Sequence, residues 1–310
     1  MNQAPVGVST CWLSRSVTDG GQIARRLKDI GATAAELDFR LSRATLDQAV
    51  EAFARLGVKI LSVHAVCPAP DNKTARNIAE RASISSSDET ERKTGVEDVI
   101  STMRLAAGLG ASCVVVHCGK TPMERVTPAL QRMFDEGTLG GTDGAKFIND
   151  IKIKRLRSRG ATFEMLMRSL SEIAEAAEAL NVNVGLENRY YMEEYPNYEE
   201  LAVIFQRLEG SRIRYWHDTG HAQAQENLGL ISHEALLKEF SGVMEGMHIH
   251  DVRGYTDHYA PPAGGVDFGM VEKYTRPDTM RILELRGDVG EREAAAGLEW
   301  IKARRTECKP

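Results

Sequence analysis

The chain has 310 residues, of which 42% are hydrophobic and 27% charged, and its formal net charge is −5. These values exclude collagen-like, disordered and membrane-embedded chains, and the mildly acidic balance speaks against a general nucleic-acid binder while allowing one local basic patch. A length well above the usual ~100–200 residues of a single domain calls for two domains or one large architecture such as an α/β barrel.

Residues 1–8 hold no basic segment followed by an apolar run, and no stretch approaches the ~18 apolar residues of a membrane span, so a soluble cytoplasmic protein is expected. The first strand is expected near 6–10. It opens no G-x-G-x-x-G turn, which disfavours a doubly wound dinucleotide sheet. Trp12, at its end, is either a substrate contact on a pocket wall or a core residue. Cys11, Cys67, Cys113, Cys118 and Cys308 are widely spaced without a C-x-x-C pair, which fits reduced thiols rather than a disulfide framework or a thiolate zinc site.

One pattern then repeats. DIGATAAELD, RLGVKILSVH, GLGASCVVVH and ALNVNVGLEN each join a helix end, through Gly or Asn, to a β-branched apolar run that closes on a polar residue. Gly31, Gly57, Gly110 and Asn181 stand where a helix C-terminus needs positive φ, and the following run reads as a buried parallel strand. Val96, Val99, Ile100, Met103 and Ala107 share one helical face, as do Phe163, Leu166, Met167, Leu170, Ile173, Ala174 and Ala177. Further strands are expected near 33–38, 59–64, 112–117, 182–187, 212–218, 244–250 and 281–285. Eight strands alternating with helices, with no Pro-, Gly- or Ser-rich linker, predict a (β/α)8 TIM barrel as a single domain over 1–310.

A plain βα unit needs only ~30 residues, so the long intervals from His64 to His117 and from His117 to Glu187 imply insertions after strands 3 and 4. The first, around SISSSDETERKTG, reads as a polar loop. The second, 120–162, reads as a helix ERVTPALQRMF, a flexible GTLGGTDG and a basic run at Lys146, Lys152, Lys154, Arg155, Arg157 and Arg159. Both leave from the C-terminal strand ends, the active face of such barrels, which makes 120–162 a candidate lid. The basic run is a solvated helix face or a track for phosphate.

Strand after strand ends in a residue able to ligate metal: His64, His117, Glu187, Asp218, His248 and Glu284. In a barrel these ends converge on one mouth, and imidazole with carboxylate oxygen suits divalent Mn, Zn, Mg or Co. Polar termini that merely face solvent explain one such residue more readily than six in succession. The most specific pieces are Asp218-Thr-Gly-His221 and His248-Ile-His-Asp251. Alternation puts His248 and His250 on one side, with His248 favoured as ligand and His250 as a donor, a substrate contact or an ordinary hydrogen-bonded core histidine.

Arg189 stays on the side of Glu187 if the chain is extended, where it binds a phosphate or carboxylate or pairs with Glu193 or Glu194. Tyr190, Tyr191 and Tyr195 wall a pocket or pack beneath a loop. His217 is expected to point away from the barrel axis, and Cys118 to be a buried structural thiol.

The order H, H, L-E-N, D-T-G-H, H-x-x-D, H-x-x-P and E on successive strands resembles the xylose-isomerase-like TIM-barrel superfamily over roughly residues 6–300. That superfamily holds sugar epimerases and isomerases, inosose dehydratases and the endonuclease IV type of abasic-site nucleases, AP endonuclease family 2. In its epimerase branch the resemblance implies one divalent metal held by Glu187, Glu284, Asp218 and His248, with His221 as a substrate contact. In its nuclease branch it implies a trinuclear zinc site that adds His64 and His117. The D-x-H pair of that branch is matched only as Asp257-His258, with Thr256 where the aspartate would fall. His258 opens HYAPPAGGVDF, similar to the His-, Pro- and Gly-rich loop of many members. Glu187 is followed by Asn188 and Arg189 rather than by a lysine two residues on, unlike xylose isomerase proper.

The leading expectation is a metal-dependent isomerase or epimerase of a sugar, sugar phosphate or cyclitol, in which Glu187 and Glu284 exchange a proton on opposite faces of a metal-stabilised enediolate. Its partner is a small molecule, neither nucleic acid nor membrane, and a homo-oligomer stays open. The second is a zinc phosphodiesterase acting on abasic DNA, for which His64, His117, Asp257 and His258 all have to ligate. The third is a non-catalytic ligand-binding barrel, which has little use for two inward carboxylates.

Overall fold

The computed structural model describes residues 6–69 and 83–305. Its strands are β1 (Val6–Ser9), β2 (Ala34–Leu37), β3 (Lys59–His64), β4 (Cys113–Val116), β5 (Asn183–Glu187), β6 (Ile213–Asp218), β7 (Met244–Ile249), β8 (Asp251–Arg253), β9 (Thr256–Tyr259) and β10 (Met280–Leu283). Eight of them close into a barrel in the order β1-β10-β7-β6-β5-β4-β3-β2, all neighbours parallel. The strands expected from the sequence are these eight. The other two, β8 and β9, form an antiparallel hairpin at the mouth after β7.

Parallel strands buried on both faces favour β-branched runs, and Cys113-Val-Val-Val116 is buried throughout. Alternation divides each strand between two cores. On β6, Tyr215 packs outward into the large layer between strands and helices, whereas Trp216 packs inward with Cys113, Val115, Met280 and Ile282. The indole needs room: a Cβ at Gly246 would lie 2.4 Å from its ring, and one at Gly185 3.0 Å. Trp216 thus plugs the barrel and forms a floor under the residues one step further along the strands.

Gly31, Gly57, Gly110 and Asn181 all have the positive φ expected of them. The helix Gly160–Leu180 buries every residue of its predicted face. In the helix Glu89–Leu109 the face differs in detail, because Ala106 is buried and Ala107 exposed.

The polar stretch after β3 is corrected more substantially. Asp88 accepts from the Glu91 amide as an N-cap, so Glu89–Gly95 are helical rather than loop. Inside that turn Arg92 is buried against Glu89, Glu172 and Ser169. Residues 70–82 of the same insertion lie outside the described residues.

The second insertion holds helices Thr127–Asp135 and Thr142–Ser158, so the last part of GTLGGTDG is helical. Its apolar side chains build a satellite core, in which Met123, Leu130 and Ile151 meet Met192, Leu228 and Leu230 from the loops after β5 and β6. Arg155, one of the basic run, is buried in an ion pair with Glu200 at 2.6 Å and donates to the carbonyls of Met192 and Glu194. A phosphate track loses that member to the structure. Among the described residues no helix is long and apolar enough to cross a membrane.

Candidate active site

The strand ends deliver their polar residues to one place above Trp216. His64 ends β3, His117 follows β4, Glu187 ends β5, Asp218 ends β6, His248 lies in β7 and Glu284 follows β10. One ligand atom each from Glu187, Asp218, His248 and Glu284 falls within 4.8 Å of the others, and all four residues are buried. Nδ1 of His248 is the common point: it lies 2.8 Å from Glu187, 3.1 Å from Glu284 and 3.7 Å from Asp218.

Three carboxylates crowded in a dry site repel one another unless positive charge is supplied. Burial opposes the charge of Glu187, yet Arg189 and the hydrogen bonds from His117 and His248 hold its carboxyl well below the usual range. Burial opposes Glu284 too, and His248 and His258 outweigh it. For Asp218 the same contest is won by His221 and His250. Burial alone would lower His248, but Glu284 and Glu36 raise it well above the ordinary histidine value. This donor set, three carboxylates and one imidazole within a cation's reach, fits a divalent metal.

Asp218 serves two structural purposes at once. It caps the helix Thr219–Asn227, accepting from the His221 amide at 2.6 Å, and it accepts from His250 Nε2 at 2.9 Å. Gly220 lets the His250 ring approach, since a Cβ there would lie 2.1 Å from it, which explains the glycine of D-T-G-H. His250 Nδ1 accepts from the His258 amide, so both its ring nitrogens are engaged. His250 reaches only Asp218 of the carboxylate cluster, whereas one nitrogen of His248 meets Glu187, Asp218 and Glu284 together, and that distinguishes the two histidines left open by the sequence.

Two further groups flank the centre. His64 and His117 stand beside Glu187, with His117 Nε2 at 2.9 Å from its carboxylate. Burial, with Arg189 and His64 nearby, pushes His117 down to about 3, which leaves a neutral imidazole at neutral pH. On the other side His221, His250 and His258 form a triad, with Asp257 at 3.6 Å from His221 Nε2 and 3.0 Å from His258 Nδ1.

The centre opens into a cavity of about 620 Å³ lined by His64, His117, Glu187, Arg189, His221 and Glu284, among others. That volume suits a small molecule. Arg189 lines it while pairing with Glu187 and with Glu194 at 3.4 Å; Glu193 pairs instead with Arg125 at 3.7 Å. Tyr190 and Tyr191 wall the cavity, whereas Tyr195 is buried beneath the loop and bonds Thr162 and Arg159. Trp12 is not a cavity wall. Its ring is buried and Nε1 donates to the Val289 carbonyl, so of the two roles open to it, substrate contact or core residue, the core one holds. Cys118 is fully buried, and burial pushes its thiol up to about 12, as a structural cysteine requires.

Sequence reasoning missed Glu36. It lies on β2, fully buried, and accepts from His248 Nε2 at 3.0 Å and from Ser62 at 2.8 Å. Asp251, which ends the motif His248-Ile-His-Asp251 and had no role assigned, accepts from the Gly264 and Val266 amides and so shapes the loop that begins at His258. A carboxylate inside the apolar run AAEL was the available signal for the first.

Comparisons with known proteins agree with this architecture. Residues 24–304 match the family model described as xylose isomerase-like TIM barrel. A D-tagatose 3-epimerase-like protein superposes with a TM-score of 0.65 at 20% identity, covering 98% of this chain and 97% of that one. A 3-keto-D-glucoside 4-epimerase from E. coli gives 0.67 at 14% identity, over 97% and 100%. A putative xylose isomerase from Rhodospirillum rubrum gives 0.69 at 14% identity, over 99% and 100%. No curated protein sequence matches the chain. With most of its length matched by the family model and its strands closed as that model requires, the chain belongs to the xylose isomerase-like TIM-barrel family.

Proposed function

We propose that the protein is a divalent-metal-dependent isomerase or epimerase of a sugar or sugar derivative. The observation that carries this reading is the convergence of Glu187 and Glu284, from strands three places apart around the barrel, on His248 Nδ1 at 2.8 and 3.1 Å. The names of the similar structures, epimerases of tagatose and of a keto-glucoside, support the substrate class.

Glu187, Asp218, His248 and Glu284 would hold the cation, which when bound supplies the positive charge that acidifies a C–H beside a carbonyl. The chain's own groups do the rest. Glu187, kept ionised by Arg189 and its histidine neighbours, takes the proton from one face of the carbon. Glu284, approaching from a different wall, passes a proton taken from the protonated His258 at 3.6 Å to the other face, while Glu187 releases its own proton to solvent, which inverts the centre or moves the carbonyl. Trp216 below and the insertion 120–162 above keep water from the reacting carbon; we assign that insertion the role of a lid. Its Gln131 donates to Tyr190 on the cavity wall, and its Asp135 accepts from Tyr255.

Solvent exchange tests the reading. Metal-loaded protein in D2O is expected to place deuterium at the carbon next to the carbonyl in at least one of a panel of ketoses, ketose phosphates and inososes. Glu187→Gln or Glu284→Gln is expected to slow that exchange by about 10²–10⁴-fold, the usual contribution of a general acid or base. Wild-type protein that labels none of the panel contradicts it.

A second reading, the zinc phosphodiesterase of abasic DNA, draws on the two flanking histidine groups, which bring the candidate clusters to three. Cleavage of an abasic duplex, lost in His64→Ala and His258→Ala, is the result that would establish it. Against it stand the engaged nitrogens of His250 and the burial of Arg155.

A further inference from the structure

One wall of the cavity carries an arrangement that proton transfer does not use. The loops after β1, β2 and β10, three neighbours in the barrel, each send an arginine to it: Arg15, Arg40 and Arg286. Arg40 is the anchored one. Its guanidinium lies 4.1 Å from the Phe39 ring centroid and donates through Nη1 to Asp38 at 2.7 Å, while Asp38 is itself held by Ser14 and by the Thr10 hydroxyl. Only 14% of the Arg40 side chain is exposed, and its Nε and Nη2 make no hydrogen bond among the described residues. Arg286 donates through Nε to Asp288 at 2.6 Å and lies over Tyr259, and its Nη groups make no hydrogen bond among the described residues. Arg15 makes no ion pair or side-chain hydrogen bond at all among the described residues.

The remaining N–H groups of these guanidinium forks reach the cavity, where a ligand oxygen can replace water. A sugar hydroxyl engages them one at a time. A phosphate or carboxylate offers paired oxygens that match the guanidinium fork, and its charge is attracted by all three side chains. Asp38 and Asp288 pair with Arg40 and Arg286, and Glu284 of the same wall is held by His248 and His258, so Arg15 adds a positive charge that no ion pair among the described residues takes up.

We propose that the substrate is an anionic sugar, whose terminal phosphate or carboxylate is held by Arg15, Arg40 and Arg286 while its carbonyl end reaches Glu187 and Glu284. This inference rests on the isomerase or epimerase reading for the carbon chain and adds the charged end.

Calorimetric titration of Mn²⁺-loaded protein with matched pairs tests it: fructose against fructose 6-phosphate and fructuronate, tagatose against its 6-phosphate, ribulose against its 5-phosphate. At least one anionic member is expected to bind about tenfold or more tightly than its neutral counterpart. The preference should shrink in ~1 M salt, where the screening length falls to about 3 Å. Because Arg15, Arg40 and Arg286 are not among the four candidate metal ligands, the preference should persist in chelator-treated protein. Arg15→Gln combined with Arg286→Gln, both on exposed side chains whose loss spares the core, is expected to weaken the anion by about tenfold more than the neutral sugar. Arg40→Gln should act in the same direction.

Equal affinities throughout each pair, no anion binding at millimolar concentration, or a preference untouched by the double variant overturns the proposal. Tighter binding of an abasic duplex than of any anionic sugar overturns it as well, by assigning the arginines to nucleic-acid phosphate. Deuterium exchange run on the same samples separates the two claims. Exchange in a neutral sugar without anion preference sinks only this inference; anion binding without exchange in any sugar sinks only the isomerase reading.

Discussion

His248 presents Nδ1 to the carboxylate cluster and donates from Nε2 to Glu36, so Glu36 fixes both the tautomer and the ring orientation that metal binding needs. Glu36→Gln is expected to lower Mn²⁺ affinity by about 10–100-fold while leaving thermal unfolding of the metal-free protein close to wild type. An unchanged affinity would show that the ring is oriented by packing on Trp216 alone. His248 itself was legible in the sequence because it lies in an apolar strand at an inward position. Glu36 was not, because nothing in AAEL says which barrel neighbour its carboxylate reaches.

A second buried group gives a pH signature away from the centre. His233 shares a hydrogen bond of 2.9 Å with His217, and burial pushes it down to about 4. The unfolded chain, with an ordinary histidine value near ~6.5, takes up the proton first as pH falls. The stability conferred by neutral His233 is therefore full above pH ~6.5 and is lost progressively down to pH ~4. Urea titrations should show a loss on the order of 2 kcal/mol from this residue between pH 7.5 and 5. That portion should vanish in His233→Gln; a variant with the wild-type pH dependence would refute the assignment.

At the scale of elements, the insertion after β4 is tied down by one buried pair. Arg155 of the helix Thr142–Ser158 meets Glu200, the N3 residue of the capping box that starts the helix Tyr198–Arg207. Breaking such a pair strands a buried charge, so Arg155→Met should cost about 3–5 kcal/mol and release amide protection across 142–158 in hydrogen exchange. Arg155→Met with Glu200→Leu should recover most of that loss, because the stranded charge is gone. Recovery of none of it would mean that the pair is not what pins the insertion. Periodicity could place helices here. It could not reveal that one cation of a basic run turns inward, because that depends on carbonyls of the loop after β5.

Across the whole molecule, the barrel was readable because each strand repeats the same physical demands: a helix end tolerant of positive φ, a β-branched run and a polar tip. Those demands are local, and the eight strands follow from them. Trp12 stayed open between pocket wall and core because its neighbour Val289 comes from the far end of the chain. The arginine wall was equally hidden, since Arg15 and Arg286 become neighbours only when β1 and β10 close the barrel.

The centre made of Glu187, Asp218, His248 and Glu284 is where the functional account stands or falls. Anomalous diffraction from Mn²⁺-soaked crystals measures it directly. One strong peak is expected within coordination distance of all four side chains, absent in Asp218→Asn. No peak there, or three peaks of similar height shared with His64, His117, His221 and His258, would contradict it.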